Sequence, residues 1–84
     1  MPKKVAWTDP AKADLRAIDQ TTALRILHGV ARYLASGEGD VKRLQDVEPP
    51  EIRLRVGDYR VRFTEEPADA LYIHSVRHRS EAYR

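Results

Sequence analysis

At 84 residues, with no cysteine and with 15 Lys and Arg against 13 Asp and Glu for a formal charge of +2, the chain has no disulfides, thiolate metal sites or cysteine nucleophile, and has room for one hydrophobic core near the lower size limit. So small a net charge does not by itself argue for a nucleic-acid partner, and no stretch approaches the roughly 20 apolar residues of a membrane span. The basic start, Met-Pro-Lys-Lys-Val-Ala-Trp, is followed by no apolar run of signal-peptide length, so one soluble domain over residues 1–84, in the reducing cytoplasm, is expected.

Lys4 to Thr8 reads as a short strand with Val5 and Trp7 on one face. Asp9-Pro10 then starts a helix, the acid as N-cap and proline in the first turn, and Ala11, Leu15 and Ile18 recur on one helical face. Asp19 can cap a second helix. Its apolar stripe is expected to be Ala23, Leu24, Leu27, Val30, Ala31 and Leu34, and Gly37 and Gly39 end it. The short link implies an antiparallel helical hairpin, with Gly29 marking a close contact between the second helix and its neighbour. Asp40 to Pro50 is polar, carries only Val41, Leu44 and Val47 as apolar anchors and ends in Pro49-Pro50, which predicts a connecting loop.

Ile52-Arg-Leu-Arg-Val56 and Tyr59-Arg-Val-Arg-Phe63 alternate apolar and basic residues around Gly57-Asp58, the pattern of a β-hairpin. Ala70 to Val76 is apolar on both parities, as expected of an interior strand. His78 to Arg84 forms a short basic tail with the makings of a helical turn. The expected class is α+β: a short N-terminal strand and a helical hairpin packed on an antiparallel sheet of three to four strands.

Chemistry gathers on the hairpin. Period-2 geometry puts Ile52, Leu54 and Val56 on one face and Arg53 and Arg55 on the other, with Arg60 and Arg62 likewise opposite Tyr59, Val61 and Phe63. Cross-strand pairing sets the guanidinium groups one strand spacing apart, where they repel unless an anion or one of Glu51, Asp58 and Glu65 bridges them. Such a cluster is either a solvated sheet face or a site preorganised for phosphate. Arg77, His78, Arg79, Tyr83 and Arg84 can reach the rim of the same face. Metal-free RNA cleavage needs a base for the 2′-hydroxyl, cationic donors for the charge developing on the phosphate and an acid for the leaving 5′-oxygen; histidine titrates in the useful range.

Other chemistries find little support. His74 and His78 stand far in sequence from His28, with no cysteine and no carboxylate at ligand spacing, so no metal and no cofactor are expected. Serine-hydrolase motifs and glycine-rich phosphate loops are absent. Trp7, Tyr33, Tyr59, Phe63 and Tyr72 are scattered and are expected in the core or on a sheet face rather than as a base-stacking platform.

The element order, the hairpin Leu54-Arg-Val-Gly-Asp-Tyr-Arg-Val61 and the ending Val76-Arg-His-Arg-Ser-Glu-Ala-Tyr-Arg84 resemble the RelE branch of the RelE/ParE toxins over nearly the whole chain. The resemblance implies a toxin of a type II toxin–antitoxin system that cleaves mRNA in the ribosomal A site by attack of the 2′-hydroxyl on the adjacent phosphate. It further implies a separate antitoxin protein that holds the toxin inactive, landing on helical grooves or sheet edges. Carried over by position, Arg53 sits where the family has a basic residue and Arg55 in the matching leucine-arginine pair, Arg60 matches the phosphate-stabilising arginine and Tyr83 the near-terminal tyrosine; Arg62, which strand alternation puts beside Arg53, joins Arg53 and Arg55 as expected RNA-binding residues. The catalytic arginine of the last strand is Arg77 or Arg79, depending on where a gap falls. Glu51 stands where the best-known members carry a second lysine, which leaves the base open and gives His78 a larger acid/base share. The alternatives are a ParE-like poison of DNA gyrase without a nuclease site, which does not require His78, Arg79 and Tyr83 as a group, and a silent binding protein on the same scaffold.

Overall fold

A computed structural model describes residues 4–44, 46, 50–66 and 70–82. In chain order the elements are β1 (Lys4–Trp7), α1 (Asp9–Arg16), α2 (Gln20–Ser36), β2 (Asp40–Leu44), β3 (Glu51–Val56), β4 (Tyr59–Glu66), β5 (Ala70–His78) and α3 (Arg79–Ala82). The strands form one sheet in the order β1-β5-β4-β3-β2, with β1 parallel to β5 and every other pair antiparallel. Helices α1 and α2 cover one face, α1 over β5 and α2 over β3. The α+β architecture is the one the residue pattern predicts, with two additions: a fifth strand and one parallel pair.

The fifth strand is β2. Residues 40–44, expected to be loop, pair with β3 in the register Asp40 to Arg55 through Leu44 to Glu51, because an edge strand needs one ladder of hydrogen bonds and little apolar alternation of its own. Residues 47–49 of that predicted loop lie outside the described residues.

The core is built from alternate strand positions and one stripe of each helix. Ile52, Leu54, Val61, Phe63, Leu71, Ile73 and Val76 come from the sheet, and Ala11, Ile26, Val30 and Tyr33 from the helices. The Tyr33 ring packs on Phe63 with centroids 5.5 Å apart, an arrangement worth more than its buried area alone. Val5, Trp7, Leu15 and Ile18 close the margins. The buried stripe of α2 is thus only partly the expected one: Val30 is buried and Leu34 packs on the core, but Leu24 and Leu27 are 48% and 37% exposed, and Ile26 and Tyr33 are buried instead.

Capping differs in one place. The N-cap of α1 is Thr8, not Asp9; its Oγ1 accepts from the Ala11 N–H at 3.4 Å and donates to the Ile73 carbonyl at 2.9 Å. One hydroxyl so ties helix start to sheet, while Asp9 sits in the first turn where the helix dipole favours an acid. Asp19 caps α2 as expected, accepting from the Thr22 N–H at 3.0 Å, and Gly37 ends it. The close approach at Gly29 is to the sheet rather than to α1: a Cβ there would lie 2.7 Å from Val56 Cγ2.

Strand β5 outruns β1, whose pairing stops at Trp7 opposite Ile73. Beyond that point the free edge of β5 needs another acceptor, and Asp14 of α1 supplies it, its Oδ2 3.0 Å from the Val76 N–H. Removing the carboxylate leaves a part-buried N–H without that acceptor, so Asp14→Ala is expected to cost about 1–3 kcal/mol of stability, read from urea unfolding. A loss no larger than that of a neutral surface substitution would show that water replaces the carboxylate at no cost.

Candidate nucleic-acid interface

The hairpin turn fixes the arginine geometry. Gly57 takes φ of 59°, a left-handed value that glycine adopts without penalty, and the two-residue turn sets Val56 opposite Tyr59, Arg55 opposite Arg60 and Arg53 opposite Arg62. The next ladder places Arg60 opposite Arg77 and Arg62 opposite Ser75. Two cross-strand rows therefore run over the face away from the helices. The first is Arg55–Arg60–Arg77, with Asp40 at its β2 end; the second is Lys42–Arg53–Arg62–Ser75. The facing arginines expected from the sequence are real, and a third strand adds to them.

The first row opens into a concavity of about 450 Å³ lined by Arg55, Gly57, Asp58, Arg60, Arg79 and Ser80. Arg79 reaches it because its N–H donates to the Asp58 carbonyl at 2.7 Å, which clips the start of α3 to the hairpin turn. A smaller concavity of about 170 Å³ lies between the rows, lined by Arg53, Arg60, Arg62, Ser75 and Arg77. Arg60 lines both.

Among the described residues, Asp40, Asp14 and Glu51 bring carboxylates to the cluster. Asp40 Oδ2 lies 3.9 Å from Arg55 Nη1, both side chains being exposed, and Asp14 Oδ2 lies 3.7 Å from Arg77 Nε. Glu51 is different in kind. Its side chain is only 12% exposed, and its two oxygens accept from Arg62 Nη1 at 2.8 Å and from Arg53 Nε at 3.2 Å. Burial alone would raise the Glu51 carboxyl, but the hydrogen bond and charge of Arg62, then those of Arg53, outweigh it and hold the group below the ordinary glutamate range.

A pKa depressed in the fold means stability that is present above the unfolded-state value, near 4.3, and lost as pH falls through the lower folded value. Glu51→Gln is therefore expected to flatten the acid limb of a stability-against-pH curve from about pH 5 downward, as measured by urea unfolding. An acid limb of unchanged slope would show that the two arginines do not hold the charge.

The structure brings Arg53, Arg55, Arg60, Arg62 and Arg77 onto one face and Arg79 to its rim. It places His78 elsewhere. His78 pairs with Tyr59 on the helix-covered side, its ring edge-on to the tyrosine ring at 5.3 Å, and its Nδ1 accepts from the Ser80 N–H at 3.2 Å. That bond makes Nδ1 an acceptor, so the imidazole helps hold the first turn of α3. Tyr83 and Arg84 lie outside the described residues. His74 sits at the β-bulge of β5 with Nε2 2.8 Å from Thr64 Oγ1, so the two histidines nearest the site engage different partners on different faces.

Sequence reasoning missed Asp14, which backs Arg77 from α1, and Ser75 and Ser80, which line the two concavities. Only the register of β4 on β5 and the clip at Asp58 reveal them; a serine two residues after a histidine carries no signal by itself.

The profile of the ParE toxin of the type II toxin–antitoxin system, parDE, matches residues 5–83, which is nearly the whole chain. No curated protein matches in sequence. Among solved structures, a chain of the archaeal RelE–RelB complex from Pyrococcus horikoshii superposes with a TM-score of 0.77 at 21% identity, covering 94% of this chain and 97% of that one. A chain of the RelB–RelE complex from Methanococcus jannaschii gives 0.72 at 21% identity, with 92% and 93% covered. A free E. coli RelE mutant gives 0.66 at 18%, with 99% and 92% covered. At such identities the structures show a shared fold, and among the described residues no helix is long and apolar enough to cross a membrane. With its sequence matched from residue 5 to residue 83 and its sheet and helices arranged as in RelE, the chain belongs to the ParE toxin family of type II toxin–antitoxin systems.

Proposed function

We propose that this toxin is a metal-independent endoribonuclease that cleaves mRNA on the ribosome, with the arginine face as its site. The observation that carries the reading is the row Arg55–Arg60–Arg77, with Arg55, Arg60 and Arg79 around the larger concavity and Arg77 beside Arg60 at the smaller one. Four guanidinium groups on rigid strands and one clipped turn offer bidentate donors to a phosphodiester. They suit a reaction in which charge builds up on non-bridging oxygens. The RNA 2′-oxygen attacks the adjacent phosphorus as its proton passes to a base. The bond from phosphorus to the 5′-oxygen breaks, and that oxygen takes up a proton, leaving a 2′,3′-cyclic phosphate. Arg60, central in its row, and Arg77 beside it are assigned to the phosphate, Arg55 to the flanking backbone and Arg79, at the rim, to the nucleotide, while Arg53 and Arg62 are engaged by Glu51; Tyr83 is assigned a part in the cleavage step.

The contacts of His78 favour a supporting role for it rather than proton transfer. His78→Asn keeps an oxygen acceptor for the Ser80 N–H and is expected to retain most cleavage, whereas a loss as large as that of an Arg60 variant would return His78 to the chemistry. Like the RelE chains seen with RelB, this toxin would be neutralised by a cognate antitoxin, and exposed Leu24 and Leu27 on α2 are apolar ground for it.

A second reading, inhibition of DNA gyrase without nuclease activity, is favoured by one observation: Glu51 compensates two arginines inside the basic cluster. Induction without antitoxin, followed by primer extension on a translated reporter mRNA, separates the two. Translation-dependent cuts within codons that vanish in Arg60→Ala and Tyr83→Phe support the endonuclease. Growth arrest with intact mRNA and linearised DNA moves the assignment to gyrase.

A further inference from the structure

The two arginine rows are separated by two residues along β3 and β4, about 6.8 Å at the usual strand rise, and they differ in how they meet their carboxylates. At the first row, the Asp40–Arg55 pair spans 3.9 Å between exposed side chains, which an incoming phosphate displaces at little cost, and Asp14, whose Oδ2 is engaged by the Val76 N–H, lies 3.7 Å from Arg77, beyond hydrogen-bond length. At the second row, Glu51 is nearly buried, binds Arg62 and Arg53 at 2.8 Å and 3.2 Å, and is held in its charged form. A carboxylate offering one oxygen to each of two guanidinium groups is the geometry a phosphate would take there.

We propose that Glu51 is an internal anion that fills the second phosphate subsite of this face, so that the polyanion is confined to the row Arg55–Arg60–Arg77 and a shorter stretch of backbone is gripped. The inference rests on the reading of the face as an RNA-phosphate surface. Glu51 is then a specificity-determining residue: it limits non-specific grip on RNA, leaving tight engagement to a strand positioned by something larger.

The test is fluorescence polarisation of a non-cleavable 2′-O-methyl RNA 12-mer against the full chain over a range of salt, with unfolding curves for every variant. Glu51→Gln is expected to bind about fivefold or more tightly at low salt and to steepen the slope of log affinity against log salt by about 0.7 for each phosphate gained. Arg62→Gln should change affinity little in the wild-type background but remove most of the gain in Glu51→Gln. Unchanged affinity and slope in Glu51→Gln, or an Arg62→Gln penalty of the same size in both backgrounds, would overturn the proposal. Should Glu51→Gln not fold, Arg62→Gln alone decides: a loss matching that of Arg60→Gln sinks the internal anion, and a much smaller one supports it. Arg60→Gln keeps the two levels apart. If it weakens binding while Glu51→Gln changes nothing, the RNA face stands and the internal anion falls; if it has no effect in either background, both fall.

Discussion

Arg60→Gln is expected to lower the rate of RNA cleavage by about two to three orders of magnitude, a loss of about 3–4 kcal/mol of transition-state stabilisation, while leaving the fold at least as stable as before. Arg60 sits directly between Arg55 and Arg77 in the ladder and lines both concavities of the face, so among the described residues it is the arginine common to both. Glutamine keeps the stem and a polar head but loses the charge and the paired donors. Arg60→Lys, which restores charge without the fork, should fall between the two. Like charges facing one another across strands cost stability, so removing the central one is not expected to unfold the sheet. That expectation separates a chemical from a structural role. Single-turnover primer extension in a translating extract gives the rate and a thermal melt gives the stability. A large rate loss with an unchanged melt places the phosphate on this row, and equal losses of rate and stability would remove Arg60 from the chemistry. Wild-type cleavage by Arg60→Gln would keep the nuclease and move its phosphate site off this row.

How far the sequence reaches can be seen residue by residue. The hairpin was legible because residues 52–56 and 59–63 alternate strictly around Gly57-Asp58, and alternation is a local property that pairing preserves. Strand β2 was not, because Asp40-Val-Lys-Arg-Leu44 carries two apolar residues three apart and becomes a strand only when β3 offers it a free edge. The arginine rows followed from the hairpin, but the face taken by His78 did not. Ala70 to Val76 is apolar on both parities, and the register shift between Arg62 and Phe63 breaks any count along β5 from sequence. Asp14 was out of reach for a related reason: its task exists only because β5 is longer than β1. Of the candidate site, the residue types were readable and the facing of the last strand was not.

The phase of α2 gives the second large expectation, because two apolar stripes compete on one helix. Ala23, Leu24, Leu27, Val30, Ala31 and Leu34 form the richer stripe by count, yet the helix buries Ile26, Val30 and Tyr33. Three contacts explain the rotation. Gly29 leaves room for Val56 at the helix surface, the Tyr33 ring meets Phe63, and the Tyr33 hydroxyl accepts from Arg43 Nη2 at 3.3 Å, so the bulky ring is buried with its polar end satisfied. Turning Leu24 and Leu27 inward would turn that stripe outward. Ile26, fully buried, should therefore lose about 2–5 kcal/mol on truncation to alanine, a large share of the total stability of so small a domain. Leu27→Ala should lose less than about 1 kcal/mol. Urea unfolding of the two variants measures the difference, and the reverse ranking would mean that the sequence's richer stripe is the buried one after all. An exposed leucine pair retained at no benefit to the fold is ground for a partner. Leu27→Lys should then weaken capture by the antitoxin while leaving toxicity intact, which ties the rotated helix to control of the toxin rather than to its chemistry.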